Sequence, residues 1–176
     1  MLLSHDELLE LIESGVIDAL PSNVNASSID VRLGPIVKKE TYFGNCVNLR
    51  LKESIGFDTL DISQRGLKLA PRDFVLASTI ETFNLPDNIS AQFILRSSMA
   101  RNGLEHLQAG WADAGFNGAH LTLELVNITQ RHTLILEHGM RIGQMVFFKH
   151  APSGLGSYAL KGSYNGQQGP TEAGKK

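Results

Sequence analysis

The sequence predicts a mainly β domain, a sandwich, jelly roll or distorted barrel, preceded by one helix. Three observations predict it. Apolar and polar residues alternate in many short runs. Glycine, proline and asparagine break the chain between those runs. No rhythm of strand and helix recurs that would signal a parallel α/β sheet.

The elements follow in order. Ser4 with Glu7 three residues on fits a capping box, Leu8, Leu9, Leu11 and Ile12 keep helical spacing, and Gly15 suits the C-terminal end of that helix. The pattern then switches to period two. Ile29, Val31 and Leu33 point one way, Asp30 and Arg32 the other. Leu67 and Leu69 repeat the pattern before Pro71, and Phe93 and Leu95 share a parity near a strand end. Leu121, Leu123 and Leu125 alternate with Thr122, Glu124 and Val126. Leu134 and Leu136 run into a turn at His138 and Gly139, and MRIGQMVFFKH reads as a further strand. No repeat of fixed period is present.

A length of 176 residues suits one domain, expected over 1–150. Beyond about Ala151 the chain is glycine-rich and poor in large aliphatics, so 151–176 is expected as a C-terminal arm and not as core. It reads either as a frayed tail or as a flexible arm that orders over a ligand; Tyr158, Lys161, Tyr164, Gln167 and Gln168 supply stacking surface and donors.

Hydrophobic residues at 42% and charged residues at 19% are ordinary globular values. A formal net charge of -2 argues against a nucleic-acid-binding face, yet a small anionic nucleotide needs only a few placed cations. Cys46 is the only cysteine, so no internal disulfide or multi-thiolate metal site can form. The first residues lack a basic region and carry acids within the apolar stretch, unlike a signal peptide, and no apolar run reaches membrane-spanning length. A soluble, cytoplasmic protein is expected.

Several motifs are missing. There is no GxxxxGK[ST] or GxGxxG phosphate loop. Zinc deaminases need H-x-E followed by P-C-x-x-C, and with one cysteine this chain has no P-C-x-x-C. His5, His106, His120, His132, His138 and His150 show no ligand spacing and read as surface or core residues. In FILRSSMARNGL (93–104), Arg96, Ser97, Ser98 and Arg101 form either an anion cradle or a short capped helix with solvated arginines. In QAGWADAGFNGAHLTLELVN (108–127), Gly110, Gly115 and Gly118 permit close backbone approach to a ring. Asp113 could accept a sugar hydroxyl, and Glu124 is either a general base or an ordinary solvent-facing strand residue.

Five blocks, NASSIDVRLG (25–34), LRSSMARNGL (95–104), QAGWADAGFNGAHLTLELVN (108–127), HGMRIGQMVFF (138–148) and SYNGQQGPT (163–171), resemble the ordered blocks of dCTP deaminases over nearly the whole chain. The resemblance implies a dUTPase-like distorted β-barrel or jelly roll with an N-terminal helix and a flexible C-terminal arm. It also implies a homotrimer with sites between subunits, dCTP or dUTP as substrate, and Mg²⁺ carried by the triphosphate and waters, with no metal ligand from the protein. Glu124 then matches the general base for deamination, with Ser97 and Arg101 holding the glutamate and the water. Arg96, Ser97 and Ser98 match the phosphate-contacting block. Ala109 and Gly110 match the backbone that holds the pyrimidine, with Trp111 beside them, and Asp113 matches the aspartate near the deoxyribose. Tyr164 and Gln167 match arm residues that close over the triphosphate.

Two positions depart from the family pattern. Gln108 stands where threonine is usual, beside the reacting C4 group, and Ser163 where lysine is usual, with Lys161 two residues earlier as a substitute cation. The GWADAGF wording is similar to bifunctional relatives that convert dCTP to dUMP. Three readings therefore stay open. They are deamination of dCTP with or without diphosphate release, direct dCTP or dUTP diphosphohydrolysis, and a non-catalytic nucleotide-sensing or partner-binding module.

Overall fold

The structure, a computed structural model, describes residues 1–41 and 46–174. The first helix, α1, spans His5–Glu13. The amide and hydroxyl of Ser4 both donate to the Glu7 carboxylate, at 2.8 and 2.7 Å. Those bonds hold the Glu7 carboxyl below its ordinary value. Leu8 and Leu11 face inward, and just past the helix Gly15 takes φ +74°, a left-handed conformation that suits glycine.

Short strands follow: β1 (Ile29–Arg32), β2 (Ile36–Glu40), β3 (Phe57–Asp61), β4 (Leu67–Leu69), β5 (Phe74–Asn84) and β6 (Ile89–Leu95). A one-turn helix, α2 (Ser97–Ala100), leads to β7 (Leu104–His106), β8 (Trp111–Ala112), β9 (Asn117–Asn127), β10 (Leu134–Leu136) and β11 (Arg141–Lys149), and a last short helix, α3, spans Tyr158–Lys161. The strands form a four-stranded sheet in the order β1-β11-β6-β8, a five-stranded sheet in the order β3-β2-β5-β9-β7, and a β10-β4 pair. Every ladder among the described residues is antiparallel. The fold is therefore mainly β, as expected.

The alternating residues of both large sheets meet in one core. Ile29, Val31 and Leu33 from the first sheet and Leu121, Leu123 and Leu125 from the second belong to the same buried cluster. Burying such side chains stabilises by about 1.5–3 kcal/mol each. The face of β1 opposite the core behaves differently from a solvated one. Asp30 is buried, because Arg96 Nη1 (2.6 Å), Asn25 Nδ2 (3.1 Å) and Arg141 Nη1 (3.3 Å) close over its carboxylate. A charge is kept out of water only with such partners.

The β5–β9 pair slips register between Ser78 and Thr82. The Thr79 hydroxyl heals the break by accepting the Leu121 amide at 3.0 Å. Within the slip, Glu81 is fully buried and accepts the Arg32 amide (2.9 Å) and Arg32 Nε (2.8 Å).

The C-terminal segment lies along β9. The Gly166 amide donates to the Asn117 carbonyl (3.0 Å) and the His120 amide to the Gln167 carbonyl (3.1 Å). The Gln167 side chain returns a bond to the His120 carbonyl (2.6 Å). The Gly169 amide reaches His120 Nδ1 and the Thr171 amide reaches Thr122 Oγ1, both at 3.1 Å. Partner numbers rise together, so the arm runs parallel to the half of β9 that β7 leaves unpaired. Lys175 and Lys176, the end of the expected arm, lie outside the described residues. Among the described residues no helix is long and apolar enough to cross a membrane.

Candidate active site

The alternation of β9 sends its three leucines to the core and leaves Thr122 and Glu124 on the other face. Leu76 of β5 is the cross-strand partner of Glu124. These side chains form one wall of a cavity of about 560 Å³, a volume suited to a small organic ligand. Ala109, Trp111 and Asp113 form a second wall. Tyr164 and Gln167 bring the arm to its edge, and Phe57, Phe74 and Phe116 add apolar surface.

Each wall has a local cause. In β8 Ala112 is buried, so its neighbours Trp111 and Asp113 turn outward to the cavity. The Trp111 indole stacks on Phe148 (centroids 5.9 Å apart, planes 27° apart), and its Nε1 donates to Asp113 Oδ1 at 2.8 Å. Gly110 lies between them and the core, where a Cβ would stand 2.8 Å from the Phe93 Cβ. Of the residues singled out in the sequence, the fold thus brings together Ala109, Trp111, Asp113, Glu124, Tyr158, Tyr164 and Gln167.

The others stand apart from this cavity within one chain. Gln108 is exposed, held at φ +64°, and its side chain is not on the cavity wall. Lys161 is exposed at the end of α3. Ser97, Ser98 and Arg101 are exposed on and beside α2, and Arg96 is engaged by Asp30. Among the described residues the cavity lining includes Glu53, Asp113 and Glu124 but no lysine or arginine. One chain therefore presents the acids and the rings, and its arginine block faces elsewhere.

His106, one of the six histidines without ligand spacing, stands beside Glu124. Its Nε2 lies 3.4 Å from Glu124 Oε2, and the ring is almost wholly buried against Phe93, with centroids 4.7 Å apart. The only signal for it in the sequence is its position two residues before Gln108, where β7 turns toward the cavity wall. Among the described residues, no group of three or more His, Cys, Asp or Glu side chains is placed to hold a metal ion.

Fold and cavity together define a β protein with an acid-bearing pocket for a small molecule. The chain belongs to the dCTP deaminase-like family, whose model matches residues 2–150. It is 38% identical over 152 residues to the dCTP deaminase, dUMP-forming, of Methanospirillum hungatei, covering 84% of this chain and 81% of that one. It is likewise 38% identical over 172 residues to the protein of the same name from Aquifex aeolicus, covering 96% and 92%. Among solved structures, the 2'-deoxycytidine 5'-triphosphate deaminase of Agrobacterium tumefaciens superposes with a TM-score of 0.66 at 21% identity. That match covers 82% of this chain and 46% of the other, longer one, and it shows a shared fold.

Proposed function

We propose that the chain deaminates dCTP at C4 and carries the product on to dUMP, releasing ammonia and diphosphate. The observation that carries the reading is Glu124 on the wall of a cavity of about 560 Å³ that Ala109, Trp111 and Asp113 also line. Support comes from relatives at 36–38% identity that bear the name dCTP deaminase, dUMP-forming.

In this reading Glu124 takes a proton from water held by Ser97 and the Ala109 carbonyl. The hydroxide adds to C4, and the proton passes to the departing ammonia. Arg101 steadies the glutamate. Positioned acid–base catalysis of this kind contributes about 10²–10⁴-fold. A second water then adds at the α-phosphorus and diphosphate leaves, so dCTP and two waters give dUMP, ammonia and diphosphate. The Ala109–Gly110 backbone holds the pyrimidine, with Gln108 at its margin, and Asp113 meets the deoxyribose. Tyr164, Gln167 and Lys161 close over the triphosphate.

The charge distribution supports sites shared between subunits of a homotrimer. A triphosphate in a cavity whose charged lining groups among the described residues are all acids needs cations from elsewhere. Arg96 and Ser98 of a second copy would supply that cradle, and Ser97 and Arg101 of the same copy would reach the water and Glu124. Mg²⁺ would be held by the triphosphate and its own waters, and the Glu53 carboxylate on the cavity wall can accept hydrogen bonds from those waters. When bound with the triphosphate, Mg²⁺ neutralises phosphate charge and polarises the α-phosphoryl group. Free nucleotides of a reducing, cytoplasmic pool are the substrates.

The test is product analysis. Purified protein with Mg²⁺ and dCTP should give ammonia and dUMP with little free dUTP. Ammonia with dUTP alone means a simple deaminase, dCMP without ammonia overturns deamination, and binding without turnover means a sensor. Glu124→Gln should abolish ammonia release and leave dCTP binding nearly intact.

A further inference from the structure

Two buried polar atoms face each other at the edge of the cavity and, among the described residues, have no other partner. They are His106 Nε2 and Glu124 Oε2, 3.4 Å apart. Buried polar atoms in native folds are paired in the great majority of cases, because leaving them unpaired forfeits their hydration without replacement. Nε2 and Oε2 are donor and acceptor for one another once the imidazole carries hydrogen on Nε2.

The surroundings fix the ring and not just its neighbour. The His106 side chain is 3% exposed, and the ring lies against Phe93. Gly110 covers it on another side, where a Cβ would stand 3.2 Å from His106 Cε1. The backbone ties the two residues together as well. The Leu107 amide donates to the Glu124 carbonyl (3.1 Å), and the Gln108 amide donates to the His106 carbonyl (2.8 Å). His106 also sits opposite Leu125 in the β7–β9 ladder, one residue from Glu124. A histidine that merely filled core would have no reason to aim an unpartnered nitrogen at a carboxylate on the cavity wall.

We propose that His106 is the positioning residue for Glu124. The ring donates Nε2–H to Oε2 and stops rotation of the carboxylate, which leaves Oε1 aimed at the attacking water. A base pinned at one oxygen presents the other in one geometry, and that fixed geometry is where positioned catalysis gains its rate. The proposal rests on the deamination reading and adds to it a residue that never touches substrate. Diphosphate release from dUTP, assigned to water attack at phosphorus, does not draw on Glu124.

The experiment compares full-length wild type, His106→Phe and His106→Gln. It reads ammonia release from dCTP, diphosphate release from dUTP supplied directly, and the melting temperature. His106→Phe should lower kcat for ammonia release roughly 10–100-fold, the range for losing a hydrogen bond to a charged group, with KM for dCTP nearly unchanged. Diphosphate release from dUTP should fall far less. His106→Gln keeps a donor of similar reach and should restore most of the lost kcat. If His106→Phe does not fold, His106→Leu takes its place and is read the same way. Equal loss of both activities, or a glutamine variant as slow as the apolar one, makes His106 a packing residue and overturns the proposal. Wild type that hydrolyses dUTP but releases no ammonia from dCTP overturns the deamination reading instead.

Discussion

Trp111 Nε1 donates to Asp113 Oδ1 across 2.8 Å, and the two side chains reach the same cavity from either side of buried Ala112. The carboxylate proposed to meet the sugar is thus aimed by an indole, and the indole is in turn held by its stack on Phe148. Trp111→Phe keeps a ring for the stack and removes the donor. The expected result is a dCTP affinity weaker by about 3–10-fold with the melting temperature nearly unchanged, since the bond lies in a half-exposed setting. Titration calorimetry decides it, and an unchanged affinity would detach Asp113 from nucleotide binding.

Gly110→Ala tests the packing behind that wall. The added Cβ would stand 2.8 Å from the Phe93 Cβ and 3.1 Å from its carbonyl oxygen, both in a β-sheet that cannot yield easily. Overpacking of this kind costs about 1–3 kcal/mol. Urea unfolding should show that loss. Ammonia release should fall further than stability alone explains, because the same Cβ crowds His106.

How far the sequence could be read depends on whether a signal is local. The α1 helix, the alternation of β9 and the turn at Gly139 are local, and each appears where the pattern places it. Ala109, Trp111, Asp113 and Glu124 lie on one continuous stretch of sequence and line one cavity. Long-range pairings left no such mark. Alternation places Asp30 only on the face opposite Ile29 and Val31, and its burial is invisible there because Arg96 and Arg141, which close over it, arrive from the end of β6 and from β11. His106 reads as bland because its meaning comes from Glu124, 18 positions along the chain, counted as 124 − 106. The C-terminal arm lacks core residues, and the free edge of β9 that it lies along is set by the shortness of β7.

The N-terminal cap predicts a pH effect. Hydrogen bonds from Ser4, its amide first and its hydroxyl second, lower the Glu7 carboxyl from an ordinary value of 4.5. A group lowered on folding stabilises above its unfolded value, and that contribution is lost as pH falls through the folded one. Glu7→Ala should therefore melt below wild type at neutral pH, and the gap should close as the solution is acidified below 4.5. Thermal melts across that window check it, and a gap independent of pH would assign the loss to helix propensity alone.

Removing the arm separates binding from folding. Deletion of residues 163–176 takes Tyr164 and Gln167 from the cavity edge while leaving every β-strand in place. The His120 amide and carbonyl lose their partners in Gln167, but that edge of β9 then opens to water, which can satisfy them. The domain should therefore still fold, with a melting temperature lower by a few degrees. The KM for dCTP should rise about 10-fold or more, as expected when rings and donors that cover a bound ligand are lost. Lys38→Ala gives the graded comparison, because it cuts only the Lys38–Glu172 pair near the end of the arm (2.5 Å). A partly exposed pair of this kind contributes about 0–1 kcal/mol, so KM should change by no more than about 5-fold. A deletion variant with wild-type KM would make the arm a bystander. A lysine variant as impaired as the deletion would make the Lys38–Glu172 pair the main fastening of the arm.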